Sequence, residues 1–212
     1  MRVTKIIKAS QLEILEKVYG DTKPALIFKN PFELLIAVIL SAQCTDKRVN
    51  ITTARLFSKA PTADAIAAMG QEALENEIRD CGLFRNKAKN IMATCRILAE
   101  EYGGEVPEDF DVLVKLPGVG RKTANVVTSI AFGRPAIAVD THVFRVANRL
   151  KLATGKTPLQ VEEGLMKAIP ENKWSSAHHW LIWHGRMVCK AKNPLCNECP
   201  LAELCPSRNK DE

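Results

Sequence analysis

The sequence has no apolar run long enough to cross a membrane. Its longest run, from Leu34 to Leu40, covers seven residues, whereas a membrane-spanning helix needs about 20. The opening stretch, MRVTKIIKASQLEIL, becomes amphipathic at once and shows neither the apolar core nor the cleavage site of a signal peptide. We therefore expect a cytoplasmic protein without a targeting signal.

Several common functional signatures are also missing. The chain contains no phosphate-binding loop, no dinucleotide-binding fingerprint and no serine nucleophile with recognisable partners. It has no internal repeat, no low-complexity tract and no Pro/Gly-rich linker. Acidic residues are fewer than basic ones, 24 against 30, which gives a formal net charge of +6. This basic excess is compatible with a polyanionic partner but does not establish one.

The fold class follows from the absence of any convincing period-two strand pattern. Helical signals run throughout, so the sequence predicts an all-α protein. Asn30 and Pro31 predict the start of a buried helix, and Ser10 with Glu13 forms a capping box that predicts another start. At 212 residues the chain suits one large domain or two small ones, with a break near Gly133-Arg134-Pro135.

One motif predicts a helix, a tight hairpin and a second helix. Its parts are Asp109–Lys115, Leu116-Pro117-Gly118-Val119-Gly120 and Arg121–Phe132. The two glycines permit a tight turn and leave backbone N–H groups bare, and the second helix starts there with the positive end of its dipole. Such a helix start binds phosphate without reading sequence. An ordinary tight turn is the alternative, since a G-x-G before a helix is weak evidence alone.

Two residues near this motif are candidates for catalysis. Lys122 falls in the first turn of the second helix, beside Arg121, where the helix dipole and the neighbouring charge disfavour an ammonium group. A neutral lysine amine is a nucleophile that can form a Schiff base. Asp140 precedes the next predicted helix, where an aspartate is equally an ordinary N-cap. A solvated surface lysine and a capping aspartate remain the alternatives.

Four of the seven cysteines lie close together in the last quarter of the chain. Cys189, Cys196, Cys199 and Cys205 read C-x6-C-x2-C-x5-C within 17 residues. In a reducing compartment such clusters bind metal rather than pair. A C-x2-C pair occurs in both zinc and iron–sulfur sites, but zinc sites usually show two such pairs. The other cysteines are scattered and are expected to be buried thiols: Cys44, Cys81 and Cys95.

The motifs together carry a resemblance to a known family. LPGVGRKTANVV, the stretch VDTHVFRVANR from Val139 to Arg149 and the four-cysteine loop resemble the endonuclease III family of the helix–hairpin–helix superfamily, over about residues 12–205. The resemblance implies two helical domains flanking a DNA-binding cleft. One covers residues 22–132, with the helix–hairpin–helix motif at 109–132. The other joins 1–21 to 133–212 and holds a 4Fe-4S cluster in the loop 189–205, with the four cysteines as ligands.

The resemblance also implies an enzyme of base excision repair. Such an enzyme removes oxidised pyrimidines from double-stranded DNA and cleaves the strand at abasic sites by β-elimination through a lysine Schiff base. Lys122 would be the nucleophile and Asp140 the catalytic carboxylate, facing each other across the cleft. The partner would be DNA with damaged bases or abasic sites. We expect a monomer that works in the cytoplasm near the nucleoid of a prokaryotic cell.

Further residues are assigned to DNA binding by the same likeness. Gln43 lies in an S-A-Q segment and would enter the base stack, and Leu83 would wedge the duplex open. The alternatives are that Gln43 is a helix C-cap and Leu83 a core residue. Phosphate contacts fall to the hairpin and to lysines of the cysteine loop: Gly118, Val119, Gly120, Arg121, Lys190 and Lys192.

Other functions remain open at this point. A monofunctional mismatch or adenine glycosylase of the superfamily would normally lack Lys122, and adenine enzymes carry a further C-terminal domain, whereas seven residues follow Cys205 here. A non-catalytic helix–hairpin–helix module would not need both Lys122 and Asp140. An electron-transfer protein fits poorly with a cluster in a small tail.

Three histidines beside tryptophans are interpreted as core residues rather than a second metal site: His178, His179 and His184.

Overall fold

The computed structural model describes residues 3–20, 22 and 24–208, and this part of the chain contains helices and no strand. The prediction of an all-α fold is therefore confirmed. The α-helices are α1 (Lys5–Tyr19), α2 (Pro31–Ser41), α3 (Asp46–Lys59), α4 (Ala63–Met69), α5 (Gln71–Ile78), α6 (Phe84–Tyr102), α7 (Phe110–Leu113), α8 (Arg121–Phe132), α9 (Thr141–Leu150), α10 (Pro158–Ala168) and α11 (Trp174–Met187). Short 3₁₀ turns cover Glu171–Lys173, Cys196–Glu198 and Ala202–Leu204.

Helix α2 is the most deeply buried element. The side chain of Asn30 accepts a hydrogen bond from the backbone N–H of Glu33 at 2.8 Å, and Pro31 occupies the first turn. The helix therefore starts where the sequence predicts. The first turn has backbone N–H groups without partners inside the helix, of which Asn30 satisfies one, and Pro31 has no N–H to satisfy. Every residue from Phe32 to Leu40 is buried, so this apolar helix forms the centre of a core.

Helix α1 begins earlier than the capping box predicts. It starts at Lys5, and Thr4 is its N-cap, with Oγ1 accepting from the Ile7 N–H at 3.3 Å. The predicted start at Ser10 is wrong, since Ser10 lies inside the helix. A threonine upstream of Ser10 offers the same cap chemistry, and the longer helix satisfies more backbone groups.

The chain folds into two compact units. One is Pro24–Arg134, and the other joins Met1–Lys23 to Pro135–Glu212. The first has a core centred on α2 and α6, and the second has its own core built from α1, α9, α10 and α11. These boundaries lie close to the predicted ones at 22 and 132. That each unit is an independent domain stays a prediction.

Buried polar contacts hold helix α1 in place within the second unit. The side chain of Gln11 is fully buried, and its Nε2 donates to the carbonyl of Leu150 at 3.1 Å and to that of Leu204 at 2.9 Å. One side chain therefore holds the end of α9 and the cysteine loop against α1. Of the helices in the described ranges, none is both long and apolar enough to cross a bilayer.

Candidate functional site

The hairpin before α8 is tightly held. Gly118 has φ +78°, and a Cβ built on it would lie 2.9 Å from Cβ of Asn90, so no other residue fits there. Leu116 and Val119 are each 4% exposed and anchor the turn in the core. The hydroxyl of Thr94 donates to the Pro117 carbonyl at 2.8 Å. The turn is thus a rigid, preformed feature.

The turn leads directly into the start of α8. Its N-cap is Gly120, which has no side chain to offer to the first-turn N–H groups. The guanidinium of Arg121 lies 5.1 Å from the centroid of the Phe110 ring, and Lys122 is exposed beside it. Cationic side chains and the helix start together favour an anion. The preceding helix is shorter than predicted, one turn over Phe110–Leu113 rather than Asp109–Lys115.

Asp140 forms the N-cap of α9. Its Oδ1 accepts a hydrogen bond from the backbone N–H of Val143 at 2.8 Å, and the residue is half-buried. The capping interpretation is therefore confirmed. It occupies Oδ1 only, so the second carboxylate oxygen is not used by the cap. Whether Asp140 also acts in catalysis stays a prediction.

Gln43 and Leu83 both have left-handed backbone conformations. Their φ values are +53° and +59°, which cost a residue with a side chain about 1–2 kcal/mol each. Both side chains are exposed, and Leu83 is 56% exposed. Because α2 ends at Ser41 with Ala42 as its C-cap, Gln43 is not the C-cap, and Leu83 is not a core residue. Both alternatives are therefore wrong, and strain at exposed positions is typical of functional loops.

A buried lysine lies beneath these two loops. Lys87, 5% exposed on α6, donates from Nζ to the carbonyl of Leu40 at 2.8 Å, near the end of α2. Burial lowers the pKa of Lys87. The loops also touch directly, since a Cβ on Gly82 would lie 3.4 Å from the Gln43 carbonyl oxygen. Sequence reasoning missed Lys87, although it shares the apolar face of α6 with Ile91 and could have been found from that spacing.

The four cysteines of the C-terminal loop line one cavity of about 380 Å³. Within the described part of the chain, no three His, Cys, Asp or Glu side chains come together as a site for a single metal ion. A zinc ion holds four sulfurs at about 2.3 Å from one centre. A 4Fe-4S cluster instead takes one thiolate on each of four irons. Four thiols spread around a shared cavity are a donor set that fits the cluster.

Burial changes the pKa values of two cysteines that line the cavity. Burial raises the pKa values of the Cys199 and Cys205 thiols, and the neighbouring cysteines raise them further. Metal binding therefore has to displace protons from these groups. Arg149 supplies compensating charge, because its Nη1 donates to Sγ of Cys189 at 3.4 Å. The same guanidinium donates to the carbonyls of Lys190 and Ala191 and so fixes the start of the loop.

A second hydrogen-bonded chain reaches the cavity from inside the fold. Nε2 of His184 lies 3.7 Å from Sγ of Cys199, and its Nδ1 lies 3.1 Å from the hydroxyl oxygen of Tyr19. His184 is fully buried, as the core interpretation predicts, and burial lowers its pKa to about 4. His178 is also a satisfied core residue, 2.7 Å from the Ala138 carbonyl. The contact of His184 with a cysteine was not predicted.

Helix α9 connects with the cysteine loop through Arg145. Its Nε donates to the Cys189 carbonyl at 3.0 Å, and its Nη2 donates to the Gly185 carbonyl at 2.9 Å. The close fit leaves no room at Gly185, where a Cβ would lie 3.0 Å from Cβ of His142. Lys190 and Lys192 extend from the same loop and are exposed. The loop therefore presents cations at a surface that the fold holds in place.

Comparison with known proteins gives two family matches. A family described as HhH-GPD superfamily base excision DNA repair protein matches residues 36–171, and the iron–sulfur binding domain of endonuclease III matches residues 189–205. Endonuclease III of Rickettsia conorii is 55% identical over 194 residues, covering 91% of this chain and 92% of that protein. Endonuclease III of Escherichia coli K12 is 51% identical over 206 residues, covering 96% and 98%.

Solved structures agree with these matches. A trapped endonuclease III–DNA covalent intermediate superposes with a TM-score of 0.93 at 53% identity, covering 97% of each chain. A thermostable thymine-DNA glycosylase superposes with a TM-score of 0.86 at 23% identity, covering 98% of this chain and 99% of that one, which shows a shared fold. The second family match coincides with the loop from Cys189 to Cys205, which favours iron over the zinc alternative.

Proposed function

Because the chain belongs to the endonuclease III family of HhH-GPD base excision DNA repair proteins, we propose that it removes oxidised pyrimidines from double-stranded DNA and then cleaves the strand at the abasic site. Membership makes the protein a base excision repair DNA glycosylase with a 4Fe-4S cluster. The choice of lesion, the lyase step and the role of each residue are the parts that we propose.

The observation that carries the lyase proposal is the position of Lys122. It is exposed in the first turn of α8, directly after a rigid hairpin whose glycine cap leaves the helix start uncovered. In the proposed reaction the damaged nucleotide leaves the base stack. The Lys122 amine attacks C1′ while the glycosidic bond breaks and the base departs with the bonding electrons. Opening of the sugar ring then gives a protonated Schiff base.

The strand break follows from the same Schiff base. Its positive nitrogen makes the C2′ proton acidic, and loss of that proton expels the 3′ phosphate by β-elimination. Asp140 assists the first step by accepting a proton or by stabilising positive charge on the sugar. Its hydrogen bond to the Val143 N–H fixes the orientation of the carboxylate. A chain with a nucleophile and a carboxylate in these positions is better suited to catalysis than to binding alone.

The hairpin supplies the phosphate contacts in this proposal. Gly118, Gly120 and Arg121 are exposed at the start of α8 and present backbone N–H groups and a cation. Val119 has its side chain in the core, and its own N–H donates to the Leu116 carbonyl at 3.0 Å. Its contribution to DNA binding is therefore to fix the turn.

Gln43 and Leu83 are proposed to occupy the space that the extruded nucleotide leaves. Both are exposed at the tips of adjoining loops, and the strained backbone holds each side chain outward. The apolar side chain of Leu83 suits a wedge between bases, and the amide of Gln43 can hydrogen-bond to the orphaned base. Lys87 holds the end of α2, just before the Gln43 loop, through its hydrogen bond to the Leu40 carbonyl.

The 4Fe-4S cluster is proposed to be held by the four cysteines that line one cavity: Cys189, Cys196, Cys199 and Cys205. When bound, the cluster supplies a rigid centre for a loop that has little core of its own. Lys190 and Lys192 would then contact phosphates from a fixed position. That the enzyme works as a monomer, and in the cytoplasm near the nucleoid, stays a prediction.

Borohydride trapping tests the proposal directly. The substrate is a duplex with one oxidised thymine, and a gel records base release and covalent adduct together. Release with a trapped adduct is the expected result. Release without adduct would mean a monofunctional glycosylase and would remove Lys122 from its role. Failure to release the oxidised base, with cleavage of an abasic site retained, would contradict the proposed lesion class.

Replacement of Leu83 by glycine should raise the stability of the protein and lower its activity. Glycine adopts a positive φ without strain, so we expect the free energy of unfolding to rise by up to about 1 kcal/mol. Loss of the wedge should slow base release from duplex DNA by about tenfold, which corresponds to about 1.4 kcal/mol out of the few kcal/mol that opening the duplex costs. Denaturant unfolding and single-turnover base release measure the two effects.

Lys151 provides a matched control for that variant. It has φ +54° at the C-cap of α9 and is exposed, but the proposal gives it no role in DNA binding. Lys151→Gly should gain stability like Leu83→Gly while base release stays unchanged. Equal base release by Leu83→Gly and the unmodified protein would show that Leu83 is not the wedge.

Replacement of Lys190 and Lys192 by glutamine should change the salt dependence of DNA binding. Each lost phosphate contact lowers the slope of log K against log salt concentration by about 1. Affinity should fall by a similar factor for damaged and undamaged duplexes, since phosphate contacts read no sequence. Fluorescence anisotropy at several salt concentrations gives the slopes. Lys167→Gln, an exposed lysine on α10, is the control, and an unchanged slope in the double variant would exclude these contacts.

A further inference from the structure

We propose that Tyr19 and His184 raise the reduction potential of the 4Fe-4S cluster through a hydrogen bond from His184 to the Cys199 thiolate. The inference rests on the assignment of Cys199 as a cluster ligand in the proposed function. It gives these two residues a role as positioning and tuning groups, distinct from holding the cluster in place.

The contacts form a continuous chain from α1 to the cysteine loop. The Tyr19 hydroxyl oxygen lies 3.1 Å from Nδ1 of His184, and Nε2 of the same ring lies 3.7 Å from Sγ of Cys199. The longer second distance suits sulfur, which is a larger acceptor than oxygen. His184 is fully buried and Tyr19 is 8% exposed. Both donor side chains are therefore shielded from water, which strengthens the electrostatic effect of their hydrogen bonds.

The direction of each hydrogen bond follows from the acceptor at the end of the chain. A cysteine bound to iron is a thiolate, which accepts and cannot donate, so the hydrogen must be on Nε2 of His184. In the neutral ring Nδ1 is then the acceptor, and the Tyr19 hydroxyl donates to it. Tyr19 therefore fixes the tautomer that points a donor at Cys199, as residues around metal-bound histidines commonly do.

The effect on the cluster has a definite sign. A cluster that gains one electron carries more negative charge, and part of that charge lies on its cysteine sulfurs. A hydrogen bond to a sulfur stabilises the more negative state and so raises the reduction potential. Removing the donor should therefore make the cluster harder to reduce and shift the potential to more negative values.

Arg149 also donates to a cysteine of the loop, but it is a poor residue for the test. Its guanidinium bonds to Cys189 and also to the carbonyls of Lys190 and Ala191. A change there would alter the backbone of the loop together with the charge at the sulfur. The side-chain hydrogen bonds of Tyr19 and His184 both lie on the path from Tyr19 to Cys199. Variants of these two residues therefore test the effect of that path on the cluster.

Protein-film voltammetry on the cluster-loaded protein tests the inference with three variants. His184→Leu removes the donor, His184→Gln keeps an N–H donor, and Tyr19→Phe removes one oxygen atom. We expect a negative shift for His184→Leu, a smaller negative shift for Tyr19→Phe, and partial recovery for His184→Gln. Tyr102→Phe is the matched control, because Tyr102 packs against the core of the other unit and should leave the potential unchanged.

Iron analysis and visible absorption show whether each variant carries a full cluster, so cluster loss is not mistaken for a shifted potential. Should His184→Leu fail to fold, Tyr19→Phe decides, because it leaves the packing almost unaltered. If Tyr19→Phe and the unmodified protein carry full clusters and have equal reduction potentials, this inference is overturned while the assignment of the cysteines as ligands stands. An unmodified protein without iron would overturn the assignment of the cysteines as well.

Discussion

Replacement of Lys122 by alanine is expected to abolish borohydride-trapped adduct and to slow base release by on the order of 10³- to 10⁶-fold, the scale reached when a covalent nucleophile is lost. The reason is that alanine has no group able to form a Schiff base with C1′. Since Lys122 is exposed on α8, the fold should survive the change. Single-turnover kinetics and adduct trapping on an oxidised-thymine duplex measure both effects.

Two further variants distinguish the role of Lys122 as a nucleophile from the effect of its positive charge. Lys122→Arg keeps a cation that can contact phosphate but is always protonated and forms no Schiff base, so it should bind DNA and yield no adduct. Lys115→Ala removes an exposed lysine just before the hairpin and should leave trapping intact. A trapped adduct that persists in Lys122→Ala would show that another amine is the nucleophile.

Replacement of Asp140 by asparagine should reduce base release by about 10²- to 10⁴-fold, the usual contribution of a positioned acid or base. The free energy of unfolding should stay nearly constant, because asparagine caps helices as well as aspartate does. The cap oxygen that accepts from the Val143 N–H at 2.8 Å is retained. Loss of activity without loss of stability would assign a chemical role to the carboxylate. Thermal unfolding and single-turnover rates give the comparison.

The cap itself is tested by alanine at two positions. Asp140→Ala loses both roles and should cost about 1 kcal/mol of stability together with activity. Thr157→Ala removes the cap of α10, where the Thr157 hydroxyl accepts from the Gln160 N–H, and should cost similar stability with activity unchanged. Full base release by Asp140→Asn would mean that Asp140 is a cap and nothing more.

Some predictions from the sequence succeeded because the forces behind them act over a few residues. Asn30 and Asp140 begin helices where expected, since each side chain accepts from a backbone N–H three residues away. The prediction for Ser10 was wrong, because the hydroxyl of Thr4 caps the helix earlier and sequence alone does not rank two nearby caps. The hairpin was predicted, but the helix before it is a single turn.

The loops of Gln43 and Leu83 could not be predicted from local sequence patterns. A glutamine after an apolar helix and a leucine after a glycine have ordinary structural explanations. Only the structure rejected them, because Ala42 is the C-cap of α2 and Leu83 is 56% exposed. Tertiary contacts lie beside both loops, since Gly82 approaches the Gln43 carbonyl oxygen and Lys87 donates to the Leu40 carbonyl. Lys87 and Leu40 are 47 positions apart, and no local pattern encodes their contact.

The sequence by itself determined the all-helical fold, the helix starts set by local caps, the hairpin before Lys122 and the loop of four cysteines. Each depends on side chains that act within one or two turns of chain. Only the tertiary structure decided that Lys87 lies under two loops and that Tyr19 reaches Cys199 through His184. Tyr19 and His184 are 165 positions apart, and they meet because α1 and α11 pack into one core that buries both side chains, where polar atoms need a hydrogen-bond partner.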